Sequence, residues 1–184
     1  EIISVYSSKT GPCLATVRFA APDMNAPIAV SAEQAQRWYQ GSYEVWYLRG
    51  ACRIEQQRMM ATGQHAVVWI DRTPGPINSP PTTIVYMEGD VNVRNIGETS
   101  ATPDTDSPST LQADRWTTQL FSTLPLQVQA PLQDISPDHP PEIYARATVR
   151  AVAIKEPSVR PAQFIQVPAP LPCIVPAPHE QQGM

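Results

Sequence analysis

Residues 45–55 read VWYLRGACRIE, and residues 84–94 read IVYMEGDVNVR, the same phrase written again thirty-nine positions later. Each is an apolar, β-favouring run with a glycine at its centre, Gly50 in the first and Gly89 in the second. Trp46, Leu48, Cys52 and Ile54 recur every second residue and so share one face of a strand. Val85, Met87, Val91 and Val93 do the same, while Tyr86, Glu88, Asp90, Asn92 and Arg94 take the opposite face. That alternation is what a half-buried antiparallel strand requires. The pattern places each glycine on the inward face. A glycine there marks a bend, a bulge or close approach by another backbone, and two in register mark a structural repeat.

A second phrase, apolar-x-small, alternates with the first: Val30-Ser-Ala32, Met60-Ala-Thr62, Leu111-Gln-Ala113 and Ile143-Tyr-Ala145. Polar residues follow it, and then a Trp or a β-favouring run. The reading is a succession of small-residue strands and glycine strands, the fourth small-residue strand lying at Ile143. Residues 31–38 also fit two helical turns, because Ser31 and Gln34 form a capping-box pair ahead of good helix formers. The repeat favours a strand there and local propensity a helix.

At 184 residues the chain suits one domain with appendages. We divide it into residues 1–29, an N-terminal strand and lead-in; residues 30–156, a β-domain; and residues 157–184, an extended tail. Residues 73–81 (TPGPINSPP) and 98–109 (ETSATPDTDSPS) read as polar surface loops. The tail holds seven of the 21 prolines, which excludes helix and central strand and leaves polyproline-like chain. Phe164, Ile165, Val167, Leu171, Ile174 and Val175 lie among those prolines, and we expect them to lie across a protein surface, the chain's own or a neighbour's.

The net charge of −4 and the absence of a basic run give no reason to expect nucleic-acid binding. No stretch is long and apolar enough for a membrane-spanning helix. The chain begins at Glu1, which fits a processed or truncated product, with a removed signal peptide as one cause. Cys13, Cys52 and Cys173 are widely spaced, with no C-x-x-C and no histidine at metal-ligand spacing, so neither metal nor cofactor is expected. They allow one disulfide plus a thiol, or three buried thiols; Cys52 falls on the core face. No nucleophile, phosphate-loop or dinucleotide motif occurs. His65, His139 and His179, Asp104 with Asp106, and Asp134 with Asp138 stand without evident partners. The chain is expected not to be an enzyme. Tyr43, Trp46, Tyr47, Trp69, Tyr86 and Trp116 cluster on the repeat strands but cannot share one face. The outward ones form either a contact surface or cross-strand pairs.

The glycine phrase followed by apolar-x-Ala and a polar residue, over residues 48–71, 87–95 and 111–121, resembles the OstA/LptA-like family of bacterial envelope proteins. The resemblance covers roughly residues 30–154 and implies an all-β fold, a folded-over antiparallel sheet of jelly-roll or V-shaped form. Family members act in the periplasm, carry lipopolysaccharide between membranes and stack end to end through strand edges. Trp46, Leu48, Cys52, Ile54, Val85, Met87, Val91 and Val93 would then line an apolar interior or lipid groove, with Gly50 and Gly89 at the bend. The chain departs from that pattern at residues 124–128, where a third glycine strand would fall: the segment has a proline and no glycine. With its long tail, that departure favours a non-catalytic structural subunit joining protein neighbours in an envelope assembly, periplasmic or outer-membrane associated. The alternative is a lipopolysaccharide-binding transport module. A core filled by Trp46, Met87 and Leu120 is expected under the first reading.

Overall fold

The computed structural model describes residues 2–7, 14–19, 22–73, 80–95, 110–133 and 139–155. Among these residues ten strands precede one helix: β1 (Ile2–Ser7), β2 (Leu14–Phe19), β3 (Ile28–Ser31), β4 (Gln34–Gln40), β5 (Tyr43–Gln56), β6 (Met59–Asp71), β7 (Thr82–Asn95), β8 (Thr110–Phe121), β9 (Gln127–Gln129), β10 (Leu132–Gln133) and α1 (Glu142–Lys155). The fold is all-β with a single helical addition. One sheet, not closed into a barrel, holds every strand in the order β10-β4-β5-β6-β7-β8-β1-β2, with β3 and β9 flanking the second half of β5. Neighbours are antiparallel except at one edge, where β9 and β10 run parallel to β3 and β4. Ser31 ends β3 and residues 34–38 lie in β4, with Ala32 and Glu33 between the two strands, so strand prevails over the local helical propensity.

The two quoted phrases are the long strands β5 and β7, on either side of β6. Their inner-face residues form continuous rungs. Ala35, Leu48, Ala66, Met87, Trp116 and Tyr6 sit opposite one another in succession, as do Val30, Ile54, Ala61, Val93 and Leu111. At mid-length every long strand is interrupted in line with its neighbours. Three steps from Arg49 to Cys52 on β5 face two on β6, and three from Glu88 to Val91 on β7 face two on β8. The extra residue in each case belongs to a pair in left-handed conformation: Gly50 (φ 76) with Ala51 (φ 43), and Gly89 (φ 84) with Asp90 (φ 51). These aligned bulges draw a crease across the sheet.

Chain length alone demands that the sheet double over at the crease. Six Cα steps join Phe121 at the end of β8 to Gln127 at the start of β9, and they span at most about 22 Å. Laid flat, those ends would lie five strand spacings apart, about 24 Å, and roughly 40 Å apart lengthwise. The folded sheet brings these corners together. Gln56, at the far end of β5, donates from Nε2 to the carbonyls of Phe121 (2.8 Å) and Ala26 (3.1 Å). Ser122 Oγ donates to the same Ala26 carbonyl at 3.0 Å, and the Thr123 amide donates to Met24 O at 2.8 Å.

Folding over encloses the inner face. Trp46, Leu48, Cys52, Ile54, Val85, Met87, Val91 and Val93 are all buried in one core with Trp116 and Leu120, and Trp46 and Val85 share that interior. Removing a side chain such as Trp116 from so tight an enclosure costs about 3–5 kcal/mol.

One sequence expectation is corrected. Ile143-Tyr-Ala145 is not a strand but the first turn of α1, so the region from 30 to 156 is not wholly β. Pro141 immediately precedes the helix, its carbonyl accepting from the Tyr144 amide at 2.8 Å, and Glu142 lies favourably in the first turn. Most of the loops at 73–81 and 98–109, the tail at 157–184 with its six apolar contact residues, Cys13 and Cys173 lie outside the described residues.

Candidate functional site

The crease glycines do not point where the sequence pattern places them. A Cβ on Gly50 would run into the Glu33 carboxyl group, and one on Gly89 would lie 2.9 Å from Gln64 Cβ. Glu33 and Gln64 are exposed. The positive φ of each bulge turns the missing side chain out of the core, toward the neighbouring strand's own interruption.

With the inner face filled, surfaces available to a partner lie on the outer face and at the sheet edges. Trp38, Val45, Val67, Trp69, Ile84 and Tyr86 form a second apolar layer outside the sheet, and α1 covers it with Ile143, Ala147 and Ala151. Those three are four residues apart, one stripe of a helix. The outward aromatic residues therefore serve mainly to seat α1, a role the strand repeat does not reveal. Tyr144 stands over the layer, its ring 5.5 Å from that of Trp38 and 5.8 Å from that of Trp69. Tyr47 stacks on His65, with its hydroxyl 3.3 Å from Nδ1.

A polar latch anchors the helix. Glu88 accepts from Arg146 Nη2 at 2.6 Å and from the Tyr86 hydroxyl at 2.9 Å. Burial alone would raise the Glu88 carboxyl, but the bonds from Arg146 and Tyr86 and the nearby charges of Arg146 and Arg115 hold it below the usual range. Burial, reinforced by Glu88, pushes the Tyr86 phenol up to about 12. A second carboxylate, Glu44, is buried yet paired with Arg72 and with the Trp46 indole N–H (2.9 Å).

Elsewhere along α1, the helix and the outer face leave an apolar cavity of about 360 Å³. Its walls are Tyr43, Trp69, Ile84, Tyr144, Thr148 and Ala151, with Gln40 at the rim accepting a hydrogen bond from the Tyr144 hydroxyl. The volume lies within the range of small ligand sites.

The edges are the other available surface. Among the described residues β2 pairs with β1 alone, and β9 with β3 alone. The Gln129 and Pro131 carbonyls accept from Ala32 and Ala35, so on this strand the odd-numbered residues face β3 and β4. Val128, between them, turns its backbone N–H and C=O to the open side.

Among the described residues no three His, Cys, Asp or Glu side chains gather at a metal-sized site, and no helix is long and apolar enough to cross a membrane. Cys52 is a buried free thiol donating to the Gln64 carbonyl (3.4 Å), and burial pushes it up to about 12, away from the thiolate a nucleophile needs. His65 is occupied by Tyr47, and His139 is exposed.

Comparison with known proteins finds no matching family model, curated protein or solved structure.

Proposed function

We propose that this chain is a non-catalytic structural subunit of a bacterial cell-envelope assembly, joined to its neighbours by strand edges and by its proline-rich tail. The observation that carries the reading is a closed interior within an open sheet. Inner-face side chains are packed against each other, while among the described residues backbone hydrogen-bonding capacity is left over at β2 and at β9. Unpaired edges are templates for another chain. The envelope setting rests on the resemblance of the glycine and small-residue phrases to OstA/LptA-like proteins.

The runner-up, a lipopolysaccharide-binding transport module, needs an accessible apolar groove. The eight residues that would line it expose between 0% and 6% of their surface, which favours the structural reading. Two experiments test the proposal. Light scattering on the full chain should give an assembly that shrinks when residues 157–184 are removed; an unchanged size removes the tail as a joint between neighbours and leaves that role to the strand edges. Mass spectrometry of gently purified protein should show no bound amphiphile, and reproducible recovery of lipopolysaccharide would replace the structural reading by carriage.

A further inference from the structure

The geometry points to the aromatic cavity beside α1 as the receptor for this chain's own tail, at residues 167–178. The inference rests on the reading of the tail as a contact segment and goes beyond the proposed function: it seats residues 167–178 on their own chain and leaves the joining of neighbours to the strand edges. Four observations converge. The first is the cavity's chemistry: Tyr43, Trp69 and Tyr144 wall it and Gln40 sits at its rim. Aromatic-lined grooves with polar rims are what proline-rich segments dock into, because a polyproline helix is already extended, loses little entropy and offers rings to stack and carbonyls to accept.

The second is the tail's own writing. Residues 167–170 and 175–178 both read VPAP, a repeat of valine and alternating proline eight positions apart. Third, the helix that carries the tail is itself a wall of the cavity. Ala151 lines it, and α1 ends four residues later at Lys155. Last is reach. The twelve steps from Lys155 to Val167 cover up to about 37 Å as polyproline chain, whereas α1 is only about 21 Å long from end to end. The segment can turn back along the helix and arrive at the cavity with chain to spare. Covalent attachment holds it there at high effective concentration.

Cys173 lies between the two VPAP repeats and provides the test. In the full chain carrying Cys13→Ser, a nitroxide is attached to Cys173; Cys52, 1% exposed, is shielded from the reagent. Indole N–H signals of the four tryptophans are then compared before and after the nitroxide is reduced. Docking predicts loss of the Trp69 and Trp38 signals, on the outer face, well beyond any loss at Trp46 and Trp116 in the interior. Replacing Pro168, Pro170, Pro176 and Pro178 by serine, a change confined to the tail, should restore the outer-face signals. Equal effects at all four tryptophans, or none at any, would overturn the inference. So would broadening that occurs only between separately labelled molecules and fades on dilution, because a second copy would then supply the tail. Light scattering on the same samples separates the two levels of the account. Assembly retained without tail docking removes this inference alone, and docking retained without assembly removes the structural-subunit reading.

Discussion

Gly50 and Gly89 each open a bulge in which the following residue also takes positive φ, and this is where single side chains decide the fold. Gly89→Ala would add a Cβ 2.9 Å from Gln64 Cβ on a backbone at φ 84. Backbone strain alone costs about 1–2 kcal/mol there, so chemical denaturation should show a loss of at least that size. Ala51→Gly is the opposite case. Ala51 already sits at φ 43, and glycine should stabilise by up to about 1 kcal/mol; a loss would show that the Ala51 methyl group matters more than its backbone. Gln56 tests the meeting of the corners. Gln56→Met keeps most of the bulk but strips the donor from the Phe121 and Ala26 carbonyls, and should cost about 1–3 kcal/mol in the same measurement. The inward residues were legible in the sequence because two-residue periodicity survives along β5 and β7. The orientation of the glycines was not, because a bulge rotates a residue in a way that spacing does not record.

Among the elements, α1 is the one the repeat conceals. Ile143-Tyr-Ala145 matches the apolar-x-small phrase, and three residues cannot distinguish a strand from a helical turn. The longer signal was present: Pro141 and Glu142 ahead of a stripe at Ile143, Ala147 and Ala151. The parallel edge formed by β9 and β10 left no trace in local pattern, since it depends on a corner reached only after the sheet has folded. Docking of α1 should respond to acid through Glu88. Its folded-state value is depressed, so the stabilisation from the Arg146 latch is complete above the ordinary carboxylate range and disappears as pH falls through the lowered value. Thermal unfolding followed by circular dichroism should therefore show a midpoint that drops on acidification. In Glu88→Gln the midpoint should start lower and that part of the drop should vanish; an unchanged acid profile would show that the latch contributes nothing to pH dependence.

At the scale of the molecule, one doubled sheet does two jobs. Its inner face closes on itself, and its ends leave backbone groups unpaired by any described residue at β2 and β9. The proposed assembly draws on those ends, and Val128 allows the claim to be tested without touching the core. Val128→Pro removes an N–H that points away from β3, in the edge position where proline is tolerated, and retains an apolar side chain. Light scattering across a concentration series is the direct measurement. The wild-type chain should grow in mass with concentration, while Val128→Pro, with a nearly unchanged thermal midpoint, should stay smaller at every concentration. A wild-type chain that remains monomeric throughout, or a variant that assembles as the wild type does, would contradict the account.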